Sequence, residues 1–538
     1  MAKERVYIYD TTLRDGAQTQ GVDFSPADKE AIARELDTLG IDYIEGGWPG
    51  ANPTDDAFFA NLPKTKHARI SAFGMTRRAG RSTDNDPGLS ALLDVGVDAI
   101  CMVGKTWDHH VSVALEITND ENIAMISDSI KHATAKGKEV LFDAEHFFDG
   151  YKANPEFAIS CVKAATDSGA RWVVLCDTNG GTLPFEVEEI VGAVTKIVPG
   201  EKIGIHCHDD TGNAVANTLA AVRAGARQVQ GTINGLGERC GNANLVSLIP
   251  TLSLKMGFAT GVNDVGLKHL THVSRMLDER LNRAPDRHAP YVGESAFAHK
   301  GGLHVSAVEK DPTCYEHIAP ESVGNHRHIV VSDQAGRSNM VARFREIGLD
   351  VDPNDKRIAS ILEEVKANEM AGFAYDGAEA SFELLARRAL GTVPDYFHCN
   401  SFRVIDERRW NAKGDLITLS EATVKISLKS GSEEMAVAEG NGPVNALDAA
   451  LRKVLLRLYP SLSQLRLVDY KVRILSPTDA TAAVTRVMIE STDDNGNHWS
   501  TVGVSPNVID ASYNALRDSI VYMLHTQGVS AAGIVEAS

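Results

Sequence analysis

The sequence predicts an α/β protein: an N-terminal (β/α)8 (TIM) barrel, helical linker subdomains, and a C-terminal α+β domain. Three observations predict it. Between Val6 and Met256, eight short apolar runs alternate with longer amphipathic stretches, the pattern of a parallel barrel with an outer ring of helices. That alternation stops near Asn263. Beyond Pro394 the chain becomes strand-rich and twice repeats a strand, a Gly/Pro turn and an amphipathic helix, which suggests two related halves. The expected division is residues 1–262 for the barrel, 263–394 for the linker subdomains and 395–538 for the last domain.

Composition fits this division and excludes several function classes. A chain of 538 residues is too long for one ordinary core. A net charge of -18 argues against a general nucleic-acid binder, whose footprint is basic. The 7 cysteines are scattered and none forms a C-x-x-C pair, so reduced, mostly buried thiols in a cytoplasmic protein are expected. The start, Met1-Ala2-Lys3-Glu4-Arg5, runs straight into a strand-like segment. Neither a signal peptide nor a membrane-length apolar run is expected.

Taken in order, the barrel strands are predicted at Val6–Asp10, Ile41–Glu45, Arg69–Gly74, Ala99–Val103, Val140–Glu145, Trp172–Asp177, Ile203–His208 and Gln228–Asn234. Helices are predicted at Pro26–Leu39, Glu121–Ala135, Pro155–Ser168, Pro184–Ile197, Asn213–Ala224 and Ala243–Met256. Ser25-Pro26 and Asn154-Pro155 are start signals, with Pro in the first turn. Gly40, Gly137, Gly169 and Gly225 fit helix ends. A doubly wound open sheet is the alternative, but no G-x-G-x-x-G follows the first strand.

The seventh strand carries the chemistry. In Ile203-Gly204-Ile205-His206-Cys207-His208 the residues alternate faces, so both imidazoles point one way and the apolar side chains the other. Such a pair is either two satisfied core histidines or two legs of a divalent-metal site. The other strand ends weigh for the metal. Asp10 to Gly16 follows strand 1, Glu45 ends strand 2, Asp143 and Glu145 end strand 5, Asp177-Thr178-Asn179 ends strand 6, and Gly237 to Asn242 follows strand 8. A barrel's chemistry sits at that rim. Asp15, His206, His208 and Asn242 are therefore the expected ligands of one divalent cation: Mn, Mg, Co, Fe or catalytic Zn, since no thiolate takes part. A 2-oxo acid, with two adjacent oxygens, suits the open positions. Arg14 is placed to steady the oxygen on which negative charge develops.

Three segments, Asp10-Thr11-Thr12-Leu13-Arg14-Asp15-Gly16, His206-x-His208 and Gly237-Glu238-Arg239-Cys240-Gly241-Asn242, resemble the acyl-CoA-condensing Claisen synthases. That family forms 2-isopropylmalate, homocitrate and citramalate. Two further stretches, Tyr43 to Pro53 and Asp143 to Tyr151, are most similar to the citramalate-forming branch. The resemblance covers essentially the whole chain. It implies condensation of acetyl-CoA with pyruvate to (R)-citramalate and CoA, the first step of a threonine-independent route to isoleucine. The 2-isopropylmalate and homocitrate activities are the alternatives. It also implies the metal ligands Asp15, His206, His208 and Asn242, catalytic Arg14, an acidic partner at Glu145, and Thr178 on the substrate carboxylate. In the segment His299-Lys300-Gly301-Gly302-Leu303-His304, the second histidine fits a base or proton relay, with Tyr315 nearby.

Two segments depart from the 2-isopropylmalate pattern, Val305-Ser306-Ala307 and Ser332 to Asn339. Both argue against a branched 2-oxo acid. Residues 283–304 read as a linker, and the resemblance implies that this segment reaches over a partner subunit's barrel in a homodimer. Asn325-His326-Arg327-His328 reads as a solvated turn. The last domain resembles the family's regulatory domain, which implies an allosteric response to isoleucine; a dimerisation module is the alternative. A catalytically silent sensor is disfavoured by the intact Arg14, Asp15, His206 and His208.

Overall fold

Eight parallel strands close on themselves in sequence order: β1 (Tyr7–Asp10), β2 (Tyr43–Gly47), β3 (Arg69–Met75), β4 (Ala99–Lys105), β5 (Glu139–Glu145), β6 (Trp172–Asp177), β7 (Ile203–Cys207) and β8 (Gln228–Gly231). β8 pairs with β1 in register, Tyr7 opposite Gln228 and Asp10 opposite Gly231, which seals the ring. The computed structural model describes residues 3–281, 283, 285–299, 302–329, 337–428, 431–475 and 483–532. It is a TIM barrel, as the alternation predicts.

Strand alternation sorts the side chains into two layers. Ile203, Ile205 and Cys207 of β7 join the large apolar layer between barrel and helices. Tyr9, Phe73, Cys101, Leu141, Trp172 and Val174 fill the barrel interior. Each fully buried aliphatic or aromatic side chain stabilises this arrangement by roughly 1.5–3 kcal/mol. The helices begin and end where local chemistry directs. Ser25 and Asp28 form a capping box around Pro26 at the start of the helix Pro26–Leu39. Gly40 then ends it at φ +98, a conformation that favours glycine.

Several boundaries differ from the sequence reading. β7 stops at Cys207, because His208 makes only an isolated bridge, to Asn242. β8 stops at Gly231, and Ile233–Gly235 forms a 3-10 turn with Asn234 at positive φ. The expected helix at Ala243–Met256 is a shorter helix, Leu245–Pro250, followed by a π turn, Thr251–Lys255. Pro250 lacks the N–H that would continue a regular ladder. Four short helices are additional: Pro53–Ala60, Pro87–Asp94, Asp108–Val113 and Phe147–Ala153.

The chain divides into two compact units, Met1–Phe297 with Ile318–Arg327, and Ala298–His317 with His328–Ser538. The first is the barrel with the helix Leu270–Arg280. In it Asn325 is buried, donating to the carbonyls of Tyr291 and Gly293, so the expected solvated turn is in part a buried anchor. In the second unit, β9 (Ala298–His299) pairs with β10 (His328–Ile329), and a helix spans Gly302–Lys310. The stretch read as a linker thus ends in ordered elements.

The second unit closes with the repeated motif. Antiparallel β11 (His398–Trp410), β12 (Leu416–Ser427) and β13 (Glu433–Gly440) are followed by the helix Pro443–Leu458. Antiparallel β14 (Arg466–Ile474), β15 (Thr485–Thr492) and β16 (His498–Ser505) are followed by the helix Val508–Thr526. Ala422, Val424 and Ile426 on one sheet, and Val487 and Ile489 on the other, are the buried alternate positions. No helix among the described residues is long and apolar enough to cross a membrane.

Candidate active site and metal centre

The loop after β1 carries Arg14 and Asp15, and its shape is fixed by hydrogen bonds. Asp10 accepts from the backbone N–H and the hydroxyl of Thr12. The Thr12 hydroxyl in turn accepts from the Ile233 N–H, tying this loop to the one after β8. The N–H groups of Arg14 and Asp15 both donate to the Thr11 carbonyl. Asp15 is thereby held, only 3% exposed, at the C-terminal mouth of the barrel.

Three side chains converge there. One ligand atom each from Asp15, His206 and His208 lies within 4.8 Å of the other two, and all three residues are buried. His206 Nε2 is 3.3 Å and His208 Nε2 3.9 Å from Asp15 Oδ2. The Gln230 side chain fixes the His206 tautomer: its Oε1 accepts from His206 Nδ1 at 2.9 Å, and its Nε2 donates to Asp143 Oδ1. His206 Nε2 then faces a carboxylate oxygen, so a proton or a cation has to lie between two acceptors. His208 Nδ1 and Asn242 Oδ1 are buried without a hydrogen-bond partner among the described residues. Asn242 Nδ2 donates to the Leu236 carbonyl. The converging donors, two imidazoles and one carboxylate, suit a hard or borderline divalent cation, and Asn242, bridged to His208 through the backbone, carries the orphaned amide oxygen.

Charge around the cluster is arranged to keep Asp15 ionised. Burial works to raise its carboxyl, but the Arg14 charge and the His206 hydrogen bond hold it well below the usual range. Burial opposes the Arg14 charge too, and the Glu45 and Asp15 carboxylates outweigh it. Arg14 Nε donates to Glu45 Oε2 at 2.7 Å, and its guanidinium lies 4.0 Å from the Phe73 ring centre. Glu45 is fully buried and also accepts from the hydroxyls of Tyr9 and Thr11. Burial pushes the Asp143 carboxyl up to about 6. Burial and the His206 charge bring His208 down to about 4, so it is neutral at pH 7.

The protonation of His206 gives a test. Burial lowers its pKa, but the hydrogen bond and charge of Asp15 more than offset this, leaving it above the ordinary histidine value. A cation must displace that proton to be ligated. The apparent affinity for Mn2+ is therefore expected to rise between about pH 6 and 8, with proton release visible by calorimetry in buffers of different ionisation enthalpy. An affinity flat across that range would contradict ligation by His206.

The remaining expected residues are placed as follows. Glu145 ends β5 and pairs with Lys105 at the end of β4. Thr178 follows β6, and its hydroxyl oxygen accepts from the His146 N–H, which leaves its own O–H free to donate elsewhere. His304 and Tyr315 belong to the second unit, where their ring centres lie 4.2 Å apart and both residues are exposed. Sequence reasoning did not assign roles to Glu45, Lys105 or Gln230. Glu45 stood at a strand end, and Gln228-Val229-Gln230 puts two amides at alternate positions of β8, a signal of a polar interior. The segment Ser332 to Asn339 lies, through residues 332–336, outside the described residues.

Fold and site together define a TIM barrel with a buried cluster of potential metal ligands, Asp15, His206 and His208, at its C-terminal mouth. The HMGL-like family profile matches residues 5–277, the homocitrate synthase post-HMGL domain-like profile residues 291–371, and the LeuA allosteric (dimerisation) domain profile residues 376–524. An (R)-citramalate synthase of Aquifex aeolicus (strain VF5) is 52% identical, covering 97% of this chain and 98% of its own. One from Geobacter sulfurreducens is also 52% identical with the same coverage. A probable 2-isopropylmalate synthase of Methanopyrus kandleri is more distant, 33% identical over 95% of this chain and 97% of its own. The chain belongs to the (R)-citramalate synthase family of HMGL-like enzymes.

Proposed function

We propose that the chain condenses acetyl-CoA with pyruvate to give (R)-citramalate and free CoA. The observation that carries this reading is the buried Asp15–His206–His208 cluster beside a charged Arg14, at the mouth of a closed barrel. Asp15, His206, His208 and the Asn242 amide oxygen would hold a divalent cation. When bound, that cation supplies Lewis-acid polarisation of a 2-oxo acid's ketone.

The chain's own groups carry the rest. Arg14, fixed by Glu45 and charged at any working pH, donates to the ketone oxygen as it becomes an alkoxide. Thr178 turns its free O–H to the substrate carboxylate. His304, with Tyr315 packed on its ring, removes a proton from the acetyl methyl. The methyl carbon then bonds the ketone carbon, the alkoxide takes a proton, and water cleaves the thioester to release CoA–SH. A general base contributes about 10²–10⁴-fold, so alignment and electrostatic stabilisation of the enolate must supply more. Glu145, paired with Lys105, presents an anion at the rim to orient the proton-transfer groups.

The substrate assignment is tested by thiol release from acetyl-CoA with a panel of 2-oxo acids. Pyruvate is expected to be selected; preference for 2-oxoisovalerate or 2-oxoglutarate would overturn the reading.

We place the cut between parts at residues 1–262, 263–394 and 395–538, in a cytoplasmic homodimer whose His304 acts on the partner subunit's barrel. Mixing Asp15→Ala and His304→Ala chains, each inactive alone, is then expected to restore about a quarter of wild-type activity, since random pairing gives half mixed dimers with one intact site each. No recovery after verified subunit exchange would remove the action in trans. The last part, read as an isoleucine sensor, predicts inhibition of the full chain by isoleucine. A chain ending before Asp395 should escape it, and equal inhibition of both would end the sensing role.

A further inference from the structure

A second group of nitrogen and oxygen ligands lies away from the barrel mouth. His269 immediately precedes the helix Leu270–Arg280, and His272 lies three residues on, so the two rings share one face of its first turn. Their centres are 4.6 Å apart, with 29° between the planes. Glu35 reaches them from the helix Pro26–Leu39: its Oε2 is 2.7 Å from His269 Nε2 and 3.7 Å from His272 Nε2. One ligand atom from each of the three lies within 4.8 Å of the other two.

We propose that Glu35, His269 and His272 form a second divalent-cation site, of the zinc class, independent of the one at the mouth. Two imidazole nitrogens converge on a single carboxylate oxygen, and only one of them is within hydrogen-bond reach of it. Charging both rings would place two like charges face to face in stacked imidazoles. A dication resolves the arrangement with both rings neutral. Two nitrogens and one oxygen, without a thiolate, suit Zn2+ in a four-coordinate site completed by water. The His272 side chain, 59% exposed, leaves room for that water and a path of entry. The bound ion would clasp the helix that follows the Arg14–Asp15 loop to the helix that follows the barrel. It would act as a structural tie, without contact with the reacting groups.

The test is calorimetric titration of the full, chelator-stripped chain with Zn2+. His272→Gln, a conservative change at an exposed position, is expected to remove one bound ion per chain and to abolish a zinc-dependent rise of a few degrees in melting temperature. CoA release supported by Mn2+ should be unchanged. Glu35→Gln should behave alike, while His208→Ala should remove a different ion and leave the zinc-dependent rise intact. If His272→Gln binds as many zinc ions as the wild type with the same affinity, the site does not exist. If the wild type binds a single ion that only His208→Ala abolishes, the proposal is likewise overturned. A single ion lost in His272→Gln but kept in His208→Ala would support it and count against the mouth centre instead.

Discussion

Asp15→Asn should lower CoA release by on the order of 10³-fold while leaving the barrel folded. The reasoning is electrostatic. Asp15 is the only anion of the cluster, set between two imidazoles and beside the Arg14 guanidinium. On the proposed reading, losing its charge weakens the hold on the cation and the polarisation that comes with it, an effect of several kcal/mol, and each 1.36 kcal/mol is a factor of ten in rate. The amide is close in size and can still accept from neighbouring donors, and Arg14 keeps its partner in Glu45. The measurements are thiol release at saturating Mn2+, metal content after gel filtration, and far-UV circular dichroism. A loss of less than tenfold, with metal retained, would show that the charge of Asp15 is not what activates the ketone.

The second large effect is on stability. Glu45→Ala is expected to destabilise the barrel unit by about 3–5 kcal/mol, the range for breaking a buried ion pair by removing one partner. Glu45 is fully buried and accepts from Arg14, Tyr9 and Thr11. Its removal strands the Thr11 hydroxyl, leaves the Tyr9 hydroxyl only Ser71 to donate to, and leaves the guanidinium with Asp15, at 3.8 Å, as its remaining ion-pair partner. Domains are stable by only about 5–15 kcal/mol, so such a loss is a large part of the whole. Glu45→Gln retains two acceptor lone pairs and should cost less. Denaturant midpoints followed by tryptophan fluorescence would measure both, since Trp172 lies in the barrel interior. Equal midpoints for Glu45→Ala and wild type would show that the pair contributes nothing net.

The two variants also mark what the sequence makes legible. The eight strands, the outward apolar side of β7 and the inward pair His206 and His208 follow from local periodicity, which a strand cannot disguise. The repeated sheet-and-helix motif was readable for the same reason, because the buried Ala422, Val424, Ile426 and Val487, Ile489 alternate with half-buried neighbours. Short helices such as Pro53–Ala60 and Pro87–Asp94 span barely two turns, too few for a helical period to stand out. The role of Glu45 was not legible because it depends on three donors contributed by β1 and the loop after it. The same holds for Gln230, whose meaning lies in the gap between His206 and Asp143. Lys105 fell beyond the apolar run that signalled β4. The Glu35–His269–His272 group joins residues more than two hundred positions apart, and no spacing rule would pair them.

The seam between β8 and β1 carries one more consequence. In the proposed mouth centre Asp15 comes from the loop after the first strand, His206 from the seventh strand, His208 from just beyond it and Asn242 from the segment after the eighth, and the Thr12–Ile233 hydrogen bond crosses the join beside Asp15. A partly made ring, such as a nascent chain still lacking its last strand, would hold these atoms in separate hands. Ion capture would then report that the circle is complete, and by mass action it would pull late, long-range assembly steps toward completion. Metal supply during synthesis would in this way influence how much of the polypeptide matures as well as how fast it turns over.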